Sequence, residues 1–293
     1  FDEAVILARR AVALTPDDAR AQADLGMHLL RTGDEAAARK ALDAAWALDS
    51  YNLVTYNLLA LLDTLDTFKT VRDRDLIVRL PSAEAPVLGE YALGSARQAL
   101  AALVTRYGYA PRGPILVEIF GRHDDFAVRN AGLPGLVGAL GACFGRVVTM
   151  DSPKARPPGT FQWEATLWHE LTHVVTLQMS NQRVPRWLTE GLSVYEEKRA
   201  RPEWGRAMDL EFAALLEQGR VPSLTALNAA FTDPKTIGVA YYEASLLAEH
   251  LEATWGLAGL RRLLRAYGQG LDTDAALQSA FDTDLVRLQA GFD

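Results

Sequence analysis

The sequence predicts an α+β protein: helical hairpins at the N-terminus, then a domain with a small mixed sheet and a mainly helical C-terminal half. Three observations lead to that class. Residues 1 to 64 are Ala-rich, with apolar positions at helical offsets that recur with a period of about 34. Short apolar or alternating segments suited to strands occur near residues 68–80, 115–120 and 146–150. From Glu211 onward the apolar residues keep helical spacing, interrupted by Pro222, Asp233-Pro234, Gly256 and Gly268.

In the first segment, Ala4, Ala8, Ala11, Leu14 and Pro16 align one period later with Ala38, Leu42, Ala45, Leu48 and Ser50. Together with Leu25-Gly26, Leu29 and Gly33 this pattern resembles tetratricopeptide repeats, whose small residues let paired helices approach closely. The register implies one full repeat from Ala19 to Asn52, the second helix of an earlier repeat before it, and a helix through Tyr56, Leu59 and Ala60 after it. Either a peptide-binding groove or a helical extension packed on the following domain fits this pattern, and the extension is preferred.

Past residue 64 the elements become mixed. Phe68 to Leu80 reads as one or two strands stopped by Pro81, Glu90 to Tyr107 as a helix ended by Gly108 and Pro111, and Ile115 to Phe120 as a strand. Asp124 to Asn130 reads as a short helix, the Gly-rich stretch to Leu140 as a loop, and Arg146 to Met150 as a strand. Helices are expected at Glu211 to Gln218, Glu243 to Trp255, Leu257 to Tyr267 and Asp284 to Gln289.

Composition limits the function classes. A formal charge of −7 disfavours nucleic acid as a partner. Cys143 is the only cysteine, so no internal disulfide forms. The longest apolar stretch, Ala131 to Phe144, is short and studded with glycines, so no membrane span is expected. The chain starts at Phe1 rather than Met, and the reading is a soluble cytoplasmic or periplasmic protein whose natural N-terminus lies upstream.

The chemistry concentrates in His169-Glu170-Leu171-Thr172-His173 and Trp187-Leu188-Thr189-Glu190-Gly191. The first segment spells HExxH, which on a helix puts two imidazoles on one face, one turn apart, where both can hold one metal ion. Zn2+ is the expected ion. A catalytic zinc needs a third protein ligand and an open position; Glu190 supplies the ligand, leaving Glu170 as general base. Leu167, Trp168, Leu171, Val174 and Val175 surround the motif with apolar side chains, so the helix should be buried. Burying two imidazoles and a carboxylate there is costly unless they are paired or coordinated. His28, His123 and His250 are expected to be structural or solvated.

Trp187 to Glu196 resembles the WLxEGxAxYxE stretch of gluzincin metallopeptidases, both the aminopeptidase N type and the smaller peptidase MA-like domains. Val239 to Ser245 resembles the segment ending in YEKG that carries a catalytic tyrosine in the aminopeptidase N type, although Ala244 and Ser245 replace its Lys and Gly. The similarity implies a thermolysin-like gluzincin domain over residues 65–293, with the sheet and metal helix in 65–184 and a helical subdomain in 185–293, zinc lying between the two halves. It implies Tyr242 as the donor to the developing oxyanion, with Tyr241 as the alternative one position away. It also implies an edge strand that pairs with substrate backbone, placed at Gly145 to Met150. Gly141 to Gly145 offers no counterpart of the GAMEN glutamate that holds a free amino terminus, so exopeptidase specificity does not carry over. Val194 stands where thermolysin-like enzymes have an aspartate partner for a zinc-bound histidine; Glu196, taken as the match to the family glutamate, and Glu197 are the alternatives.

These residues predict a zinc-dependent peptidase acting on peptides or proteins, more often within chains than at their ends. The repeats would add a protein partner. The competing reading is a tetratricopeptide scaffold with an inactive or regulatory peptidase-like domain, and a metal hydrolase of a non-peptide amide or ester shares the same chemistry.

Overall fold

The structure, a computed structural model, describes residues 1–136, 138–205 and 208–292. The chain packs as two compact units, Phe1–Arg97 with Arg112–Leu167, and Gln98–Pro111 with Trp168–Asp293.

The first unit opens with helices α1 (Asp2–Leu14), α2 (Ala19–Arg31), α3 (Glu35–Leu48) and α4 (Leu53–Leu65). Side chains start three of them: Asp18 accepts from the Arg20 and Ala21 amides, Asp34 from Ala37 and Asn52 from Thr55. A Cβ on Gly26 would stand 2.6 Å from Leu42 Cγ, so α2 and α3 approach as closely as a glycine permits. Leu29, Leu30, Leu42, Leu58, Leu62 and Leu65 form one buried core that also holds Phe120 and Phe126 from the mixed region.

Strands β1 (Phe68–Asp73) and β2 (Leu76–Pro81) form a hairpin through Arg74-Asp75, with Arg74 at φ 53°. Helix α5 (Ala85–Tyr107), strand β3 (Ile115–Phe120), helix α6 (His123–Ala131) and strands β4 (Gly141–Cys143) and β5 (Val147–Asp151) follow. The sheet order is β1-β2-β3-β5-β4, with β2, β3 and β5 parallel and the outer strands antiparallel to their neighbours. The expectation of an edge strand at Gly145 to Met150 is therefore corrected. All five residues of β5 are buried and flanked by β3 and β4, and β4 is the outer strand. Inside this unit Arg129 Nε donates to Glu118 Oε2 at 2.8 Å with both side chains fully buried, and Arg79 pairs with Glu35. Such charges are tolerated in a core only because they are paired.

Helix α7 (Trp163–Met179) begins in the first unit and carries HExxH into the second. Leu167, Leu171, Val174 and Val175 are at most 1 % exposed, which confirms the buried helix read from the apolar flanks. Helices α8 (Arg186–Ala200), α9 (Asp209–Glu217), α10 (Leu227–Ala230), α11 (Ile237–Gly268), α12 (Thr273–Phe281) and α13 (Leu285–Phe292) complete the chain. The two helices expected on either side of Gly256 are both present within α11, separated where Gly256 takes the non-helical φ 68° and ψ 171°. The end of α5 is fixed to α8 and α11 by Arg106, which pairs with Glu196 and Glu252, while the Tyr107 hydroxyl donates to Glu196 Oε1 at 2.9 Å. No described helix is long and apolar enough to cross a membrane.

Candidate metal centre

On α7, His169 and His173 stand one turn apart, and their rings meet edge to face at 4.8 Å between centroids. Glu190 reaches the same point from the first turns of α8. A buried group of three potential ligands results: His169 Nε2 lies 3.1 Å from His173 Nε2 and 3.2 Å from Glu190 Oε2, and His173 Nε2 lies 3.3 Å from that oxygen. Ligands about 2.0 to 2.1 Å from a zinc ion at tetrahedral angles stand about 3.3 Å apart, so the triangle has the size of one face of a zinc tetrahedron.

The outer nitrogens explain why these atoms face inward. His169 Nδ1 lies 2.6 Å from Glu197 Oε1, and His173 Nδ1 lies 2.8 Å from Thr189 Oγ1 and 3.3 Å from Ser193 Oγ. Each Nδ1 that donates to its partner leaves an Nε2 lone pair pointing at the other imidazole and at a carboxylate. Three electron-rich atoms at hydrogen-bond distance in a buried site call for a cation. Burial lowers the affinity of His169 for a proton, but hydrogen bonds to Glu190 and Glu197 more than reverse this and push its pKa up to about 10. Burial likewise opposes ionisation of Glu190, yet His173 and His169 hold its carboxyl well below the usual range. Both shifts place positive charge between the histidines and negative charge on Glu190. The residues fit a zinc ion by donor type, number and spacing.

Glu170 is 5 % exposed, and burial raises its pKa above the ordinary carboxylate value, although His173 and His169 oppose the rise. Its Oε2 is buried without a hydrogen-bond partner among the described residues, an arrangement that suits an incoming water molecule. The structure does not bring Tyr242 to this group. Its hydroxyl donates to Asp209 and its ring packs on Phe212. Tyr241 is the tyrosine on the metal side, with its ring 6.3 Å from that of His169 and 5.0 Å from that of Phe231. Burial beside Glu190 raises the Tyr241 pKa, so its hydroxyl keeps its proton at neutral pH.

Glycine makes this placement possible. A Cβ at Gly191 would collide with the Ala244 carbonyl oxygen, so only glycine in WLTEG lets α8 and α11 come this close. Of the two glutamates proposed as a histidine partner, Glu197 holds His169, whereas Glu196 pairs with Arg106. Counted along WLxEGxAxYxE, the final glutamate falls on Glu197, so the assignment to Glu196 was one position short. Thr189 and Ser193, which hold His173, were missed, since hydroxyl residues on a buried helix carry no distinctive spacing. None of the other histidines joins the group: His123 lies against Asp151 at 2.9 Å, His250 packs on Trp255 and Phe292, and His28 sits on α2.

A profile of the Peptidase MA superfamily matches residues 95–292, more than half of the chain. The chain belongs to the Peptidase MA superfamily. Comparison with curated proteins and with solved structures found no match. The matched segment contains every residue of the candidate metal centre. In this Peptidase MA member, α7 carries HExxH, α8 the third potential ligand with the partners of both imidazoles, and α11 the nearby tyrosine.

Proposed function

We propose that this chain is a zinc-dependent peptidase that hydrolyses peptide bonds, within chains more readily than at their ends. The observation that carries the reading is the triangle of His169, His173 and Glu190, set by Glu197 and Thr189 and joined to a buried, unpartnered Glu170 oxygen. A bound zinc ion supplies Lewis acidity that polarises a carbonyl and makes water a nucleophile near neutral pH. Glu170 takes the proton of the attacking water at its free carboxylate oxygen and returns it to the departing amine, a role favoured by its raised proton affinity. The Tyr241 hydroxyl, rather than that of Tyr242, donates to the carbonyl oxygen as charge builds on it; one such donor is worth about 3 to 4 kcal/mol. The preference for internal cleavage follows from the lack of a carboxylate in Gly141 to Gly145 that could hold a substrate amino terminus.

Residues 65–293 form the peptidase domain in this proposal. Residues 1–64 are a tetratricopeptide-like extension whose apolar core, shared with Phe120 and Phe126, favours packing on the enzyme over a free peptide-binding groove. Metal content combined with cleavage-site profiling on an unbiased peptide library tests the whole reading. One zinc per chain with internal cuts is expected. A folded protein that takes up no zinc, or that is loaded and cuts nothing, would exclude it.

A further inference from the structure

Thr176, just beyond HExxH on α7, enters none of the roles described so far, yet it touches a residue that holds one of the candidate ligands. Its Oγ1 lies 2.8 Å from Thr189 Oγ1, which in turn lies 2.8 Å from His173 Nδ1. The same Thr176 oxygen is 3.5 Å from the His173 carbonyl oxygen, a long form of the bond that a helical threonine makes to the carbonyl three residues back. An imidazole, two hydroxyls and a carbonyl thus make a closed set of contacts that begins and ends on His173. Thr176 is fully buried and Thr189 is buried beside it. Ser193 Oγ, at 3.3 Å, is the more distant of the two hydroxyls next to Nδ1.

We propose that Thr176 is a positioning residue that sets the direction of this hydroxyl chain and through it the tautomer of His173, leaving the Nε2 lone pair for the metal. The argument is one of donor inventory. A hydroxyl has one proton to give, and a carbonyl can only accept. Thr176 gives its proton to the His173 carbonyl, so its oxygen accepts from Thr189. Thr189, its own proton committed, offers His173 only a lone pair, and Nδ1 carries the hydrogen. Run in reverse, Thr176 would donate to Thr189 and Thr189 to Nδ1. That direction puts the hydrogen on Nε2, where it blocks coordination, and gives up the bond to the carbonyl. In a buried chain the direction that also satisfies the carbonyl is favoured.

The inference rests on the zinc peptidase reading, and two measurements separate its failure from failure of that reading. In the first, nitrogen NMR of the imidazole rings reads the His173 tautomer in the zinc-free full chain, at a pH where that ring is neutral. The wild type should carry the hydrogen on Nδ1. Thr176→Val, which keeps the shape of the side chain without its hydroxyl, should shift His173 toward the Nε2–H form. A wild type already in the Nε2–H form would overturn the proposal whether or not the valine variant folds, and so would an unchanged tautomer in a folded Thr176→Val. In the second, zinc affinity is measured by chelator competition with no substrate present. Thr176→Val should weaken binding about tenfold, as loss of a residue that orients a ligand does, and Thr176→Ser should stay within about threefold of the wild type. Adding Thr176→Val to Thr189→Val should cost little more than Thr189→Val alone, because both act through one chain. Unchanged affinity in Thr176→Val, no rescue by serine, or multiplying losses in the double variant would overturn the role of Thr176. A wild type that takes up no zinc would defeat the zinc reading, while the tautomer measurement would still decide the role of Thr176.

Discussion

His169 Nε2, His173 Nε2 and Glu190 Oε2 lie within 3.1 to 3.3 Å of one another, and the charge balance at that point governs behaviour at the scale of single residues. In metal-free protein the raised pKa of His169, about 10, keeps a proton there through neutral pH. That stabilisation is complete below the ordinary value of 6.5 and disappears as pH rises through about 10. The depressed pKa of Glu190 acts at the other end: its contribution is present above 4.5 and is lost as pH falls below that value. Zinc must displace the His169 proton, so binding near pH 7.5 should release about one proton and affinity should rise about tenfold per pH unit. Calorimetry in buffers of different ionisation enthalpy reads the release directly; a proton count of zero would contradict this charge state. Glu197→Ala should weaken zinc binding about 10- to 100-fold, whereas Glu196→Ala should leave metal affinity nearly unchanged because that carboxylate serves Arg106. Equal effects of the two substitutions on affinity would remove the distinction. The two neighbours are separable in the sequence by the motif count, which ends on Glu197, and the structure gives the physical reason: adjacent residues on a helix point about 100° apart, so only one of them meets the imidazole.

Among the elements, the contact between α8 and α11 does most to shape the site. Gly191 faces the Ala244 carbonyl with no room for a methyl group, so Gly191→Ala must push the helices apart. Its expected cost is about 1 to 3 kcal/mol in urea unfolding, as for other overpacked sites, with reduced activity as Tyr241 shifts. A variant as stable and as active as the wild type would show that the close approach is not needed. This contact also explains what was legible. HExxH, its apolar flanks and Glu190 are local in sequence, and the structure brings them together in a buried helix pair. The choice between Tyr241 and Tyr242 depends on how α11 is rotated against α8, a long-range matter fixed by Gly191 and Phe231 that no local pattern encodes. Likewise the apolar run of β5 identified a strand but not its neighbours. Strand order is set by the connections, and here it puts β5 inside the sheet and Gly141–Cys143 outside it.

For the molecule as a whole, the change in chain character near residue 64 does not interrupt packing, since Leu58, Leu62 and Leu65 share a core with Phe120 and Phe126. The buried Glu118–Arg129 pair lies in the same unit, with Arg129 Nη2 also donating to the Leu30 carbonyl at 2.8 Å. The helical segment is thereby bound to the sheet by apolar and charged contacts together, which supports the proposal that it is an extension packed on the following domain. The second unit carries every candidate ligand and the proposed acid–base and donor residues. The central claim, that Glu170 is the base of a zinc peptidase, is tested most directly by comparing Glu170→Gln with the wild type on an unbiased peptide library, with zinc content measured on both. Equal zinc loading and a loss of hydrolysis by a factor of about 1,000 or more are predicted, since the amide keeps the shape of the side chain but cannot take a proton. Peptide cleavage that persists in the zinc-loaded variant would contradict it.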